Sequence, residues 1–204
     1  MKVCAAVSCE SPDKIGLAFV CLPALYGVKT LSMFLLETER LLFREHRRGD
    51  LEDYCALEAD AEVRRYVGGA PRPREVAVRK FRSTLLKNAA HKLALRATIF
   101  KADGRYIGYS GLYPNFRPGG SVRGEAVLAF CFSREYWGRG LATEAGRAFV
   151  SLGFEELRLK RIVAVADVRN AASIRVLEKL GFVRIATELG ERSFYKFELV
   201  GASG

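Results

Sequence analysis

The sequence predicts an α+β fold built on one mixed, mostly antiparallel sheet flanked by helices. Three observations predict it. Residues 93–113 read as two strands joined at Ala102-Asp103-Gly104-Arg105, where Asp-Gly signals a hairpin turn. Residues 125–181 alternate strand, helix, strand, helix, with apolar runs followed by apolar residues at helical spacing. Two further strands, over 183–189 and 192–199, then close the chain. A chain of 204 residues suits one such domain. At that size roughly 70% of the unfolded surface is buried, so a core forms without disulfide or metal.

Taken in order, residues 1–32 are the hardest to place. Residues 15–28 are mostly apolar but broken by Pro23 and Gly27. The run is too short to span a membrane, and no small-residue cleavage site follows it. We read 1–32 as an extension outside the fold, with Met33 as the natural start and the folded domain over 35–200. Leu41 and Phe43 alternate in a first strand. Gly49 breaks it, and Asp50 is expected to cap a helix reaching about Ala59. Residues 61–67 form a second short helix before Gly68-Gly69, with Arg64 and Arg65 expected on a solvated face. After Pro71 and Pro73 a third helix covers 74–88, with Val76, Val78, Phe81, Leu85 and Leu86 as its apolar stripe. Strands follow at 93–100 and 106–113, then a loop over 115–121 and a strand over 125–132.

That strand leads into Tyr136-Trp137-Gly138-Arg139-Gly140-Leu141-Ala142-Thr143-Glu144-Ala145. Leu141, Ala145, Ala148, Phe149 and Leu152 recur at helical spacing, so the glycine pair sits on a strand-to-helix turn. Glycines let the backbone bend there, and the first N–H groups of the helix, backed by its dipole, make a site for phosphate. Thr143 stands where a dinucleotide fingerprint needs its third glycine, and no Gly-Lys-Ser/Thr follows, so both common nucleotide motifs fail. The next strand begins at Arg161. Its following helix has Asn170 as N-cap, Ile174, Leu177 and Leu180 as its stripe, and Gly181 just past its end.

Composition narrows the function further. The net charge of +10 suits an anionic ligand. Cys4, Cys9, Cys21, Cys55 and Cys131 are odd in number and lack metal-ligand spacing, so neither a disulfide framework nor a metal site is expected, as in a reducing cytoplasm. Cys131 reads as a buried small hydrophobe.

The turn motif, Asn170-x-x-Ser173, Glu178-Lys179-Leu180-Gly181-Phe182, Leu36-Glu37-Thr38-Glu39-Arg40-Leu41-Leu42-Phe43-Arg44 and Ile107-Gly108-Tyr109-Ser110-Gly111-Leu112 occur in one order across the domain. Together they resemble the GCN5-related N-acetyltransferase (GNAT) superfamily, and within it the RimJ/RimL-like branch. The resemblance implies a V-shaped splay of two strands that admits acetyl-CoA as cosubstrate, with no metal. It implies that the N–H groups of Trp137, Gly138, Arg139, Gly140, Leu141 and Ala142 take the diphosphate, with Arg139 adding charge. The pantetheine arm pairs with Ala129, Phe130, Cys131 and Phe132, and an N–H near Phe130 polarises the acetyl carbonyl. The amine attacks the thioester directly.

Asn170 and Ser173 match the family's pair beside the thiol; the resemblance implies that Asn170 is a cofactor-binding residue as well as the cap, and Ser173 is the candidate proton donor to the thiolate. Many relatives carry a tyrosine acid where this chain has Leu177, and a glutamate where it has Val127. Glu125 shares the face of Val127, roughly 7 Å away along the strand, and is the candidate base. The acceptor is expected to be a protein N-terminus or a small-molecule amine. No membrane is expected as partner, nucleic acid is disfavoured, and a homodimer is left open. The alternatives are a basic RNA- or ribosome-binding module that keeps the fold without catalysis and, third, a nicotinamide-dependent oxidoreductase.

Overall fold

The computed structural model describes residues 35–88, 93–117, 120–188 and 193–201; the expected extension over 1–32 and the start at Met33 lie outside these. The described strands are β1 (Leu35–Glu37), β2 (Leu41–Arg44), β3 (Leu95–Phe100), β4 (Tyr106–Arg117), β5 (Gly120–Phe132), β6 (Arg161–Asp167), β7 (Val183–Glu188) and β8 (Phe194–Val200). They form one sheet in the order β1-β2-β3-β4-β5-β6-β8-β7. Among the described residues β5 and β6 pair in parallel, and every other neighbouring pair is antiparallel. The expected α+β class and mostly antiparallel sheet are both present.

The helices are α1 (Leu51–Ala59), α2 (Ala61–Arg64), α3 (Arg74–Asn88), α4 (Leu141–Ser151) and α5 (Ala171–Lys179). Alternation along β5 sorts them to two faces. Ala126, Leu128, Phe130 and Phe132 point into the main core with Leu141, Ala145 and Phe149 of α4 and Leu177 of α5. Cys131 points the other way, to Leu57 of α1 and Val63 of α2. On that second face Tyr54, Ala77 and Phe81 of α1 and α3 pack over Ala97, Ile99 and Tyr106.

The structure differs from the sequence reading at several points. A three-residue strand, β1, precedes the expected first one. The expected loop over 115–121 is mostly strand, because β4 runs on to Arg117 and β5 starts at Gly120. The stripe of α3 turns on Ala77 and Phe81, while Leu86 is exposed. Asp50 makes no side-chain cap on α1. Its carboxylate instead receives two bonds of 2.7 Å from the Arg44 guanidinium and one of 2.7 Å from the Arg47 N–H. A charged, bidentate partner outcompetes a neutral helix N–H. Beyond Ser151, α4 continues as a wider π-helical turn over Leu152–Glu156.

Candidate active site

The site is organised by a parting of two strands. β5 and β6 pair at Glu125↔Arg161, Ala126↔Ile162 and Val127↔Val163, and the ladder stops there. β5 stays bonded to β4 as far as Phe132↔Gly108, and β6 to β8 as far as Asp167↔Phe194. The facing edges of 128–132 and 164–167 therefore diverge. Backbone N–H and C=O groups on such an edge need partners, and an extended ligand carrying amides supplies them. The crossover β5–α4–β6 joins parallel strands, so the first turns of α4 and α5 both lie at the carboxyl end of the pair, beside the opening.

The turn into α4 is shaped as the sequence suggests. Gly138 has φ of +71° and Gly140, the N-cap of α4, has φ of +78°. L-residues with a Cβ rarely adopt that left-handed conformation. No side chain caps α4, and a Cβ built on Gly138 would meet nothing within 4 Å. The first N–H groups of the helix thus carry no side-chain bond, and the nearest group to a Cβ on Gly140 would be Arg40 Nη2, at 3.6 Å. Trp137, the only tryptophan in the chain, stands beside the turn, 47% exposed, with its indole N–H bonded to the Phe132 carbonyl at 2.7 Å. The Arg139 guanidinium lies over the rings of Phe100, at 4.6 Å, and Tyr136, at 5.3 Å. Its charge is near the turn but stacked on aromatic faces.

At α5 the expected cap is present: Asn170 Oδ1 accepts from the Ser173 N–H at 3.1 Å. Ser173 is half-buried in the first turn of α5, and Leu177 is buried in the main core. Glu125 sits in the closed part of the β5–β6 pair, two residues before the opening. Arg161 Nη2 bonds one of its oxygens, and Asn115 Nδ2 donates to the other at 2.8 Å. Arg161 is shared with Glu198 at 3.2 Å. The structure therefore brings Trp137–Ala142, Ala129–Phe132, Asn170 and Ser173 to one end of the strand pair and leaves Glu125 at the closed end. The Cys131 thiol is buried, and burial pushes it up to about 12, with Glu58 adding to the rise. It is a packed thiol, not a thiolate nucleophile.

The second face holds charges that sequence reasoning missed. Glu58 is fully buried. It is bonded by Arg72 Nη1, lies 3.4 Å from Arg64 Nη1, and accepts from Tyr109 Oη at 3.0 Å. Arg64, expected in solvent, is only 2% exposed; its Nε donates to the Ala70 carbonyl at 3.3 Å. Arg65 is the solvated one of the pair and meets Glu62. Gly68 was the available sign: a Cβ there would stand 1.9 Å from Arg64 Nη2. The glycine makes room for a guanidinium under the loop. Two guanidiniums and a hydroxyl surround the buried Glu58 side chain, which is the kind of partnering a buried acidic group needs.

Comparison with known proteins now gives the family. Residues 40–183 match the family model described as "Acetyltransferase (GNAT) domain". The uncharacterized N-acetyltransferase YoaA of Bacillus subtilis (strain 168) is 31% identical over 152 residues, covering 72% of this chain and 82% of the relative. The spermidine N(1)-acetyltransferase of Escherichia coli (strain K12) is 30% identical over 139 residues, 68% of this chain and 70% of the relative. In fold, the chain is similar to the acetyltransferase (GNAT family) from Bacillus anthracis, with a TM-score of 0.70 at 24% identity, covering 82% of this chain and 98% of that one. The chain belongs to the GNAT family of acetyltransferases. It is an acetyl-CoA-dependent N-acetyltransferase that acts on an amine. Among the described residues no helix is long and apolar enough to cross a membrane.

Proposed function

We propose that the chain is a RimJ/RimL-like enzyme that acetylates a protein N-terminus or a small primary amine by direct attack in a ternary complex. The observation that carries this reading is the parting of β5 from β6 after Val127, beside a helix end that no side chain caps. The N–H groups of 137–142 hold the diphosphate, and the free edge of 129–132 pairs with the pantetheine amides. An N–H near Phe130 stabilises the oxyanion as the new C–N bond forms. Asn170 fixes the start of α5, so that Ser173 relays a proton from water to the thiolate as the C–S bond breaks. Glu125 takes the proton lost by the amine, and it does so while held by Arg161 and Asn115.

The acceptor is read from charge. A chain of net charge +10 repels polycations, so a spermidine-like amine is the contrast and not the expectation. Initial rates at varied acetyl-CoA and amine should give intersecting lines, and parallel lines would show an acyl-enzyme and contradict direct attack. With Glu125→Gln, kcat should fall about 10- to 100-fold with little change in KM for acetyl-CoA. Unchanged kcat across the pH range removes Glu125 from the mechanism.

A further inference from the structure

Glu144 is the fourth residue of α4, one turn from the N–H groups read above as the diphosphate site. A carboxylate there suits the helix dipole but repels a bound diphosphate. The structure turns both its oxygens away onto the β1–β2 turn, 104 positions back in the chain. Oε1 accepts from Thr38 Oγ1 at 2.5 Å and from the Arg40 N–H at 2.9 Å. Oε2 accepts from Arg40 Nε at 2.7 Å, with Nη2 at 2.6 Å. The remaining arm of the guanidinium, Nη1, donates at 2.9 Å to the carbonyl of Arg139, the residue between the two left-handed glycines. Arg40 thus grips the turn and neutralises Glu144 at the same time. Burial pushes the Glu144 carboxyl up, but the bonds from Thr38 and Arg40 overcome it and hold it below the usual carboxylate range. The Glu144 carboxylate is therefore charged at neutral pH, and the pair lines a groove of about 770 Å³ that reaches Gly140 and Thr143.

We propose that Arg40 is a positioning residue for acetyl-CoA: by neutralising Glu144 and pinning the Arg139 carbonyl, it keeps the N–H groups of the turn fit for a diphosphate. The inference rests on the turn being the diphosphate site and does not involve the acceptor.

A brace that only holds shape and one that also cancels charge differ when both partners are neutral. The full chain and the variants Arg40→Met, Glu144→Gln and the double variant are titrated with CoA, following Trp137 fluorescence. Turnover is measured with acetyl-CoA and with acetyl-pantetheine, which has the thioester but no diphosphate. Arg40→Met should weaken CoA binding and raise KM for acetyl-CoA about tenfold, with kcat within about twofold. Its kcat/KM for acetyl-pantetheine should match that of the unsubstituted chain. Glu144→Gln keeps the side chain's shape and should bind CoA at least as tightly as the unsubstituted chain, and the double variant should regain most of the loss.

A double variant as weak as Arg40→Met overturns the proposal, as does an equal loss with acetyl-pantetheine. So does Glu144→Gln binding CoA several-fold more weakly. An unsubstituted chain that binds CoA while Arg40→Met matches it overturns this inference alone; one that does not respond to CoA overturns the reading of the turn and the inference with it.

Discussion

α4 and α5 start at the same end of the sheet, and their first turns are finished in opposite ways. α5 is closed by its own chain, with Asn170 Oδ1 accepting the Ser173 N–H. α4 begins at a left-handed glycine with no side chain on its N–H groups. A helix end that lacks a cap leaves donors to be satisfied by water or ligand. The difference assigns the two helices different tasks. On the proposed reading, α5 holds a serine in place beside the opening, and α4 offers its dipole and donors to an anion.

The sharpest way to break this contrast is to give α4 a cap like that of α5. Gly140→Asp forces a Cβ onto φ of +78° and sets a carboxylate at the anion site. Like-charge repulsion should weaken CoA binding about 1,000-fold, near 4 kcal/mol, while strain of about 1–2 kcal/mol lowers folding stability in the free and bound forms alike. Titration calorimetry checks this, and a loss under threefold would mean that the anion does not sit there.

The next effect sets the pH at which such comparisons hold. Burial lowers His46 from 6.5 to about 4, with Arg44 and Arg96 reinforcing the shift and Asp50 opposing it. The folded chain keeps His46 neutral while the unfolded chain protonates it near 6.5. Stability from this group is therefore complete above about pH 6.5 and is lost as pH falls toward 4, by about 3 kcal/mol in all. Urea unfolding at several pH values measures this, and His46→Phe should flatten that slope.

The smallest effect sharpens the contrast from the other side. Asn170→Ala uncaps α5 and should cost about 1 kcal/mol, or 2–4 °C in Tm. CoA affinity should fall far less than with Gly140→Asp, because Asn170 bonds its own helix and lies on the thiol side of the proposed site, away from the diphosphate. A CoA loss as large as that of Gly140→Asp would erase the distinction.

How much of this was legible in the sequence depends on the range of the interaction. The glycine turn, the Asn170 cap and the apolar strand 126–132 were all readable, because each is set by residues a few positions apart. The interactions that span the chain were not. Arg40 enters the sequence reading only as part of the 36–44 block, with no partner, yet it meets Glu144 across 104 positions. Arg64 reads as solvated, yet the fold buries it against the 68–70 loop, where it meets the buried Glu58. Asp50 sits where a cap is expected and is drawn to Arg44 instead. The insertion of β8 between β6 and β7 leaves no mark in local pattern, since strand order is a property of pairing. On the site itself, the motif placed the turn correctly, but Glu125 was chosen by face alone, and its partners Arg161 and Asn115 come from two other strands.

The central claim is that the open end of α4 and the free edge of β5 form one site for acetyl-CoA. Thermal melting above pH 6.5 with acetyl-CoA, CoA, NADH or ATP, one at a time, tests it most directly. A ligand at a hundred times its dissociation constant adds about 2.7 kcal/mol, a shift of several degrees at this size. The account predicts that shift with acetyl-CoA and CoA and none of that size with NADH or ATP. No shift with either CoA species, or an equal shift with NADH, would contradict it.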